Sequence, residues 1–249
     1  MIYLPHRRKA FQAAGGVTRR KLVSTSAAAN TGMHSTADIG PVIGASGDVT
    51  TICFWFQRND SSANKTLWAT EAGREQIYTT PGQLAARYGT ASGGNVTGTV
   101  VLDTWHHACV QLGFDAFGGG NDDSRISLDN GTFGTAAHVS SDTGDLDIAC
   151  VHYILGDDSG GGNTDDGYVG QIFDLCVIDG QYDPTDCNFS TAGGGEWDDL
   201  SAGAISNLVY RIDGQNSGDP GEDSSGNGND FTVESSGVTL SDSGLPPGA

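Results

Sequence analysis

The spacing of turn-forming residues constrains the fold of this chain more than any other feature of its sequence. Gly, Ser, Asn and Asp interrupt the apolar runs so often that every run is short, and glycine alone fills 38 of the 249 positions. Short apolar runs bounded by such residues are typical of β-strands joined by tight turns. Long stretches with the 3.6-residue apolar period of a helix are absent. The sequence therefore predicts an all-β protein.

The strongest of these runs covers residues 49–57, with the letters VTTICFWFQ. Because neighbouring side chains of a strand point to opposite faces, Cys53 and Trp55 share one face and Phe54 lies on the other. Both faces are apolar, which predicts a central strand buried on both sides. The same reasoning places Trp55 and Trp105 in the core.

A dozen strand-like runs follow one another at short intervals, a pattern that predicts a two-sheet sandwich or a barrel. Their residue ranges are 49–57, 65–69, 75–79, 84–88, 96–101, 104–114, 124–128, 146–155, 168–178, 208–212, 231–233 and 238–240. In the Asp-Asn-Gly sequence at residues 129–131, Asn130 and Gly131 tolerate the positive φ angles of a type I′ turn, which predicts a hairpin between residues 124–128 and 132–133.

The basic residues are concentrated at the start of the chain. Residues 1–21 hold six of the 12 Lys and Arg residues and none of the 31 acidic ones, so the remainder is strongly acidic. We therefore divide the chain into a basic arm with an irregular lead-in at 1–45 and a single sandwich at 46–249, whose C-terminal segment 181–249 is irregular. An acidic body disfavours nucleic acid as a partner, because phosphate contacts need a basic surface. The apolar runs are too short to predict membrane insertion.

The arm has two interpretations that the sequence leaves open. In the first, its cations pair with an acidic partner surface while its apolar side chains anchor the contact. The residues of this predicted docking segment are Tyr3, Leu4, Arg7, Arg8, Lys9, Phe11, Arg19, Arg20 and Lys21. In the second, the arm is a solvated tail, as chain termini commonly are.

Five cysteines argue against a disulfide framework. An odd number cannot pair completely within one chain, and neither a C-x-x-C motif nor a Cys/His zinc spacing occurs. Cys53, Cys109, Cys150 and Cys176 lie inside apolar runs, where a cysteine acts as a small hydrophobic side chain. We therefore predict reduced cysteines and folding in a reducing compartment.

Five segments resemble laminin-G-like modules of the concanavalin-A-like superfamily, in order and rough spacing, over residues 45–180. They are residues 49–56 with a Phe-Trp pair, 104–110 with Trp-His-His, 126–131 with the Asp-Asn-Gly turn, 154–156 with Ile-Leu-Gly and 168–175 with Gly-Gln-Ile-Phe-Asp. The resemblance implies an antiparallel two-sheet β-sandwich of the jelly-roll type.

The C-terminal part resembles virion proteins of tailed bacteriophages. The similar segments are V-I-D-G-Q at residues 177–181, P-T-D at 184–186 and D-S-S-G-N-G-N-D-F-T at 223–232. The chain departs from that pattern at Cys187, where an aromatic residue is usual, and in a strand shortened to residues 208–213. The resemblance implies a protein that is made in the host cytoplasm, forms an oligomer with other virion proteins and is released by lysis.

The carboxylates do not form a glycosidase pattern. Glycosidases on this type of fold use two carboxylates facing one sugar, about 5–10 Å apart, and the glucanase branch takes them from a Glu-x-Asp-x-x-Glu strand. The glutamates make no such motif; they are Glu71, Glu75, Glu196, Glu222 and Glu234. His106 and His107 point to opposite faces of one strand and so cannot chelate one metal together. We therefore predict that the protein is not an enzyme.

Calcium and glycans are the ligands that the loops and aromatic residues suggest. Residues 157–167 concentrate oxygen ligands of the kind that calcium prefers, with a solvated acidic loop as the alternative. The predicted calcium ligands are Asp157, Asp158, Asn163, Asp165 and Asp166. Residues 223–230 form a similar cluster, for which Asx turns are the simpler explanation. The candidates for stacking on a glycan are Trp68, Tyr78, Tyr88 and Trp197.

Together these features predict a non-enzymatic virion protein, a lectin-like sandwich on the surface of a phage capsid that is anchored by its basic arm. Two alternatives stay open. The first is a tail-fibre or adhesin module that binds a polysaccharide of the host surface. The second is a secreted protein that binds or cleaves glycans. The absence of fibrous repeats and of coiled-coil heptads favours the capsid over a tail-fibre shaft.

Overall fold

The computed structural model of this chain describes residues 20–25, 32–43, 45–61, 64–70, 75–87, 95–97, 99–118, 122–139, 146–147, 149–156, 167–184, 207–214, 219–234 and 237–246. These residues form β-strands, turns and irregular connections, and no helix is found among them. A helix long and apolar enough to cross a membrane is accordingly not found in this part of the chain.

Seventeen strands follow one another along the described residues. They are β1 (Lys21–Ser24), β2 (Met33–Ser35), β3 (Val42–Ile43), β4 (Val49–Arg58), β5 (Lys65–Thr70), β6 (Gln76–Thr80), β7 (Gln83–Arg87), β8 (Asn95–Thr97), β9 (Trp105–Phe114), β10 (Asp122–Leu128), β11 (Ala137–Val139), β12 (Leu146–Asp147), β13 (His152–Ile154), β14 (Gly170–Asp179), β15 (Leu208–Ile212), β16 (Phe231–Val233) and β17 (Val238–Ser241). The first strand begins at Lys21 and not at Val49, so the lead-in predicted to be irregular contains β1, β2 and β3.

Two antiparallel sheets and a two-stranded ribbon contain all of these strands. The first sheet has the order β11-β10-β9-β4-β14-β1-β17, with β15 also paired to β14. The second has the order β16-β2-β13-β5-β6-β7-β8, and β3 pairs with β12 in the ribbon. This architecture confirms the predicted antiparallel sandwich. Because β15, β16 and β17 belong to the two sheets, the segment at 181–249 is less irregular than predicted.

A bulge in β14 lets one edge of this strand serve two partners, β1 along its first half and β15 along its second. The register to β4 shifts between Phe173 and Cys176, and Asp174 has a positive φ of 54°. Gly170 begins β14 so close to β4 that a Cβ atom would lie 2.2 Å from the carbonyl oxygen of Gln57. Close packing of two backbones thus explains the glycine of the Gly-Gln-Ile-Phe-Asp segment.

The inner faces of the two sheets enclose one apolar core. Its members include Ile52, Phe54, Phe56, Ala108, Val110, Leu112, Ile172, Leu175 and Val177 of the first sheet, and Met33, Leu67, Trp68, Ile77, Leu84 and Ile154 of the second. A polar network lies inside this core. The indole Nε1–H of Trp68 donates to the hydroxyl of Tyr210 (2.8 Å), which lies 3.2 Å from Nδ1 of His152. Burial raises the pKa of Tyr210 well above its ordinary value, so the hydroxyl stays protonated.

A second, smaller apolar cluster lies on the outer face of the first sheet. It contains Cys53, Cys109, Cys176 and Ile178, with Phe133, Tyr182 and Leu208 packed against it. The cysteines of this cluster therefore act as small buried side chains. Both faces of the central strands are partly apolar for this reason, as the sequence of β4 indicated.

The turn after β10 has the predicted type. Asp129 and Asn130 have positive φ angles of 52° and 59°, as a type I′ turn requires. Across the turn the amide of Gly131 donates to the carbonyl oxygen of Leu128 (3.1 Å). The central residues of the turn are thus Asp129 and Asn130, one position earlier than predicted. The returning strand is β11 at Ala137–Val139 and not residues 132–133.

Candidate functional site

The structure describes part of the predicted ligand sites. The predicted calcium ligands at 157–166 and the stacking candidates Tyr88 and Trp197 lie outside the described residues. Tyr78 is half-buried on β6 and stays a candidate. Trp68 has 0% of its surface exposed, so the prediction that it stacks on a glycan is wrong. Its indole is enclosed because every residue of β5 is buried, on both faces of the strand.

The predicted docking arm is described at its end. Residues 3–19 lie outside the described residues, and Arg20 is half-buried. Lys21 is 6% exposed; its ammonium donates to the carbonyl oxygen of Gly244 (3.0 Å) and lies 5.7 Å from the ring centre of Trp105. Burial lowers the pKa of this ammonium. The docking prediction is wrong for Lys21, because a cation already held inside the fold is not available to a partner.

The cluster at residues 223–230 is a turn organised by one carboxylate. Asp223 accepts hydrogen bonds from the backbone amides of Arg211 (2.9 Å), Ser225 (2.8 Å) and Asn229 (3.0 Å). This arrangement agrees with the Asx-turn explanation for the cluster. In the part of the chain that the structure describes, no three His, Cys, Asp or Glu side chains are grouped so that they could hold a metal ion.

Two tryptophans and two glutamines lie together on the outer face of the first sheet. In the strand register Trp105 on β9 is opposite Gln57 on β4, and Gln57 is opposite Gln171 on β14. Trp55 precedes Gln57 by two residues and points to the same side. All four side chains are half-buried and keep a surface that a ligand can reach. We call these four residues the aromatic–amide face.

The aromatic–amide face corrects the prediction that Trp55 and Trp105 are core residues. Phe54 and Phe56 occupy the core from β4, so alternation along the strand turns Trp55 outward. The sequence of β4 alone does not decide which of two apolar faces meets the second sheet. Gln57 is the signal that could have decided it, because a polar residue at the end of a buried strand marks the side that faces solvent.

A chain of hydrogen bonds orients the two glutamines. Nε2 of Gln57 donates to the carbonyl oxygen of Asp103 (2.7 Å), and Nδ2 of Asn59 donates to the carboxylate of Asp103 (2.7 Å). Nε2 of Gln171 donates to Oδ1 of Asn59 at 3.4 Å, a long hydrogen bond. The amide group of Gln57 is therefore held in a fixed orientation, and that of Gln171 is held more weakly.

The segment that follows β17 reaches the same face. The carbonyl oxygen of Gly244 accepts hydrogen bonds from Nε1 of Trp105 and from the ammonium of Lys21, each at 3.0 Å. Two residues further on, Pro246 is buried. This contact fixes the orientation of the Trp105 ring, which reduces the entropy that the ring would lose on binding a ligand.

The two histidines of the Trp-His-His strand have structural contacts inside the fold. Nε2 of His106 accepts the amide of Val101 (3.0 Å) and its Nδ1 donates to the carboxylate of Asp129 (2.9 Å), so both ring nitrogens are occupied. Burial raises the pKa of Asp129, but the hydrogen bonds from His106 and from the amide of His107 outweigh it and lower the pKa overall. The ring centre of His107 lies 5.2 Å from that of Trp55, so the two rings pack against each other.

A polar cleft of 440 Å³ lies at the opposite end of β14. Its walls combine the carboxylates of Asp38 and Asp179 with the amides of Asn227 and Asn229. The Nδ2 groups of the two asparagines donate to the carbonyl oxygen of Val209, at 3.1 and 2.8 Å, which holds both side chains in place. The residues that line this cleft include no aromatic ring, so it offers hydrogen bonds without a stacking surface.

Comparisons with known proteins bear on the fold. No protein-family model matches the sequence, and no curated protein matches it. The chain is similar to a protein from Bacteroides ovatus thought to bind carbohydrate, with a TM-score of 0.57 and 13% identity over 93% of this chain and 61% of that one. It is also similar to a heptameric SAP-like pentraxin from Limulus polyphemus, with a TM-score of 0.51 and 12% identity over 71% of this chain and 83% of that one. The chain has a lectin-type jelly-roll fold. At 12–13% identity, the similarity to these two proteins shows the fold alone.

Proposed function

We propose that this chain is a non-enzymatic carbohydrate-binding module and that its ligand binds on the aromatic–amide face. One observation carries the proposal: Trp55, Trp105, Gln57 and Gln171 share one half-exposed surface of the first sheet. The apolar face of a sugar ring packs on an indole, and its hydroxyls exchange hydrogen bonds with amides, which both donate and accept. A surface that combines these two residue types is suited to a saccharide.

Two buried polar atoms beneath this face support the proposal. The Nε1–H of Trp55 and Oε1 of Gln171 have no hydrogen-bond partner among the described residues. Hydroxyl groups of a saccharide could accept from the indole N–H and donate to the amide oxygen. Because an unsatisfied buried polar group is destabilising, such an interaction favours binding once the side chains above it move apart.

Charge favours a neutral saccharide over an acidic one. The chain has a formal net charge of −19, and the carboxylate of Asp103 belongs to the hydrogen-bond network of the face. Carboxylate or sulfate groups on a glycan would therefore be repelled. The same network argues for binding without cleavage, because glycoside hydrolysis uses two carboxylates about 5–10 Å apart and the network contributes Asp103 alone.

Affinity gel electrophoresis and calorimetry with neutral polysaccharides test the proposal. Trp105→Ala should raise Kd roughly tenfold, as expected when an aromatic contact at the centre of a site is lost. Tyr153→Ala is the matched control, because Tyr153 is a half-buried aromatic residue on β13 of the second sheet. Equal binding by the wild-type and Trp105→Ala proteins would contradict the proposal, as would release of reducing sugar during the assay.

We further propose that the module belongs to a phage particle, as a capsid decoration protein or as part of the tail apparatus. The sequence resemblance at residues 177–186 and 223–232 supports this placement, and the basic residues before β1 would dock the module. Quantitative mass spectrometry of purified particles tests it. A copy number set by capsid symmetry indicates decoration, a few copies per particle indicate a tail adhesin, and absence from particles refutes the proposal.

A further inference from the structure

Three cysteines form a row across the centre of the first sheet. Cys109 on β9 is directly opposite Cys53 on β4, and Cys53 is directly opposite Cys176 on β14. All three are on the outer face, are at most 1% exposed and are not in disulfide bonds. The proposed carbohydrate site does not use them, because it begins two residues further along β4, at Trp55.

One pair in this row is placed for covalent linkage. The sulfur atoms of Cys53 and Cys109 are 3.4 Å apart. Directly opposed residues of an antiparallel pair have Cα atoms about 4.5–5.5 Å apart, which lies inside the range of about 4.4–6.8 Å that disulfides span. The backbone of β4 and β9 therefore already has the spacing of a disulfide, and rotation of the two side chains would complete it.

The other pair is less well placed. The bulge of β14 shifts its register to β4 immediately before Cys176. The thiol of Cys176 is also directed toward Asp174, with its sulfur 3.8 Å from a carboxylate oxygen and 3.9 Å from the carbonyl oxygen. These contacts favour Cys109 over Cys176 as the partner of Cys53.

A small reagent can approach the row through its cover. Phe133 packs against the cysteines from the outside and also lines a cleft of 300 Å³, together with Asn130 and Pro184. Phe133 therefore contacts both the cleft and the cysteine cluster. Three side chains cover the row, Phe133, Tyr182 and Leu208. Phe133 lies in the irregular stretch between the type I′ turn and β11, so displacing it breaks no strand pairing.

We propose that Cys53 and Cys109 are an oxidation site, which a small peroxide converts to a reversible cross-strand disulfide. The thiolate of one cysteine attacks an oxygen of hydrogen peroxide and becomes a sulfenic acid, and the departing hydroxide takes the proton of that thiol to give water. The second sulfur then attacks the sulfenic sulfur. The S–S bond forms, and the sulfenic oxygen leaves as a second water with the remaining thiol proton. Two thiols are oxidised by two electrons, and one peroxide is reduced.

The test uses the full-length wild-type chain and hydrogen peroxide. After treatment, the protein is denatured, its remaining thiols are alkylated, and its peptides are mapped without reduction. We expect two of the five cysteines to escape alkylation and one cross-linked peptide pair to join Cys53 to Cys109. Dithiothreitol should restore both thiols. Cys150, which is half-buried outside the row, is the internal control.

The oxidised protein should also unfold at a melting temperature higher by roughly 10 °C, because the bond closes a long loop in the unfolded chain. The linked residues are 56 positions apart. Cys109→Ala should abolish the cross-link and the shift, and the wild-type peptide map decides the matter if that variant does not fold. Linkage of Cys53 to Cys176, or oxidation of Cys150 while the row stays alkylatable, would overturn the proposal.

Discussion

The two faces of the first sheet are built from the same strands and hold different chemistry. On the inner face, β4 contributes Phe54 and Phe56 to a closed apolar core. On the outer face, the alternate positions hold Cys53, Trp55 and Gln57, which pass from fully buried to half-buried along the strand. The second sheet packs against the inner face, whereas loops cover part of the outer face. One strand can thus stabilise the fold with half of its side chains and offer a binding surface with the others.

The largest expected difference in the free energy of unfolding is between substitutions at two adjacent residues of β4. Phe54→Ala should lower the free energy of unfolding by about 4 kcal/mol, because it removes a large buried ring and leaves a cavity. Cys53→Ala should lower it by about 1 kcal/mol, since the cluster on the outer face loses one sulfur atom. Urea denaturation followed by circular dichroism measures both. Equal losses would mean that the outer cluster stabilises the fold as much as the core does.

An ion pair buried on the outer face gives the next largest effect. Nε and Nη2 of Arg211 donate to the carboxylate of Asp174 at 2.6 and 3.1 Å, and both side chains are nearly inaccessible. Arg211→Met should destabilise the protein by about 3 kcal/mol, because the carboxylate stays buried without its cation. Combining it with Asp174→Asn, which removes the charge and tolerates the positive φ of this position, should recover part of this loss in the same urea experiment. The buried carboxylate of Asp213, 3.6 Å from Nε of Arg211, stays without its cation in both variants. A double variant no more stable than Arg211→Met would show that the pair does more than balance charge.

The polar network of the inner face predicts a smaller effect. Tyr210→Phe should cost about 1–2 kcal/mol, since the buried indole N–H of Trp68 loses its acceptor. Tyr78→Phe is the matched control, because that tyrosine is half-buried on β6. Thermal unfolding of the two variants compares them. A loss as large for Tyr78→Phe would argue against the network as the cause.

The smallest effect depends on pH and concerns the turn beside the Trp-His-His strand. Asp129 has a pKa below its ordinary value of 3.8, so it binds its proton less readily when the protein is folded. Its contribution is therefore present above about pH 4 and is lost as the pH falls through the folded pKa. The carboxylate is half-exposed, so Asp129→Asn should cost about a few tenths of a kcal/mol at pH 6. The difference between the melting temperatures of the two proteins should shrink as the pH falls through the folded pKa of Asp129; a constant difference would exclude ionisation as the cause.

The sequence predicted the central strands well and the lead-in poorly. β4, β9 and β14 are long apolar runs whose alternation or motif is visible without any partner. β1 begins with Lys21, which follows other basic residues. This run of charge led to the prediction of an arm at a position where Leu22 and Val23 belong to a strand. The ammonium of Lys21 is instead held inside the fold by the carbonyl oxygen of Gly244, 223 residues away, a contact that the local sequence does not reveal.

The burial of the tryptophans could not be predicted from the sequence either. Trp55 and Trp68 stand in comparable apolar runs, yet one is half-exposed and the other is enclosed. The difference arises from which face of each strand meets the opposite sheet, and that depends on strands distant in sequence. A candidate binding residue on a doubly apolar strand therefore needs a polar neighbour in register, such as Gln57, before it can be placed.

The position of β1 has a consequence for how the chain is made. Its two neighbours are β14 and β17, and its Lys21 pairs with Ser241, close to the last described residues. In the same way, β2 pairs with β13 and β16, which both lie far later in the chain. Since a ribosome makes β14 and β17 after β1, and β13 and β16 after β2, the strands β1 and β2 stay without these partners until the later strands have emerged. The meander from β5 to β8 has local partners and is suited to nucleate folding, whereas closure of the sheets requires contacts of high sequence separation, which form slowly.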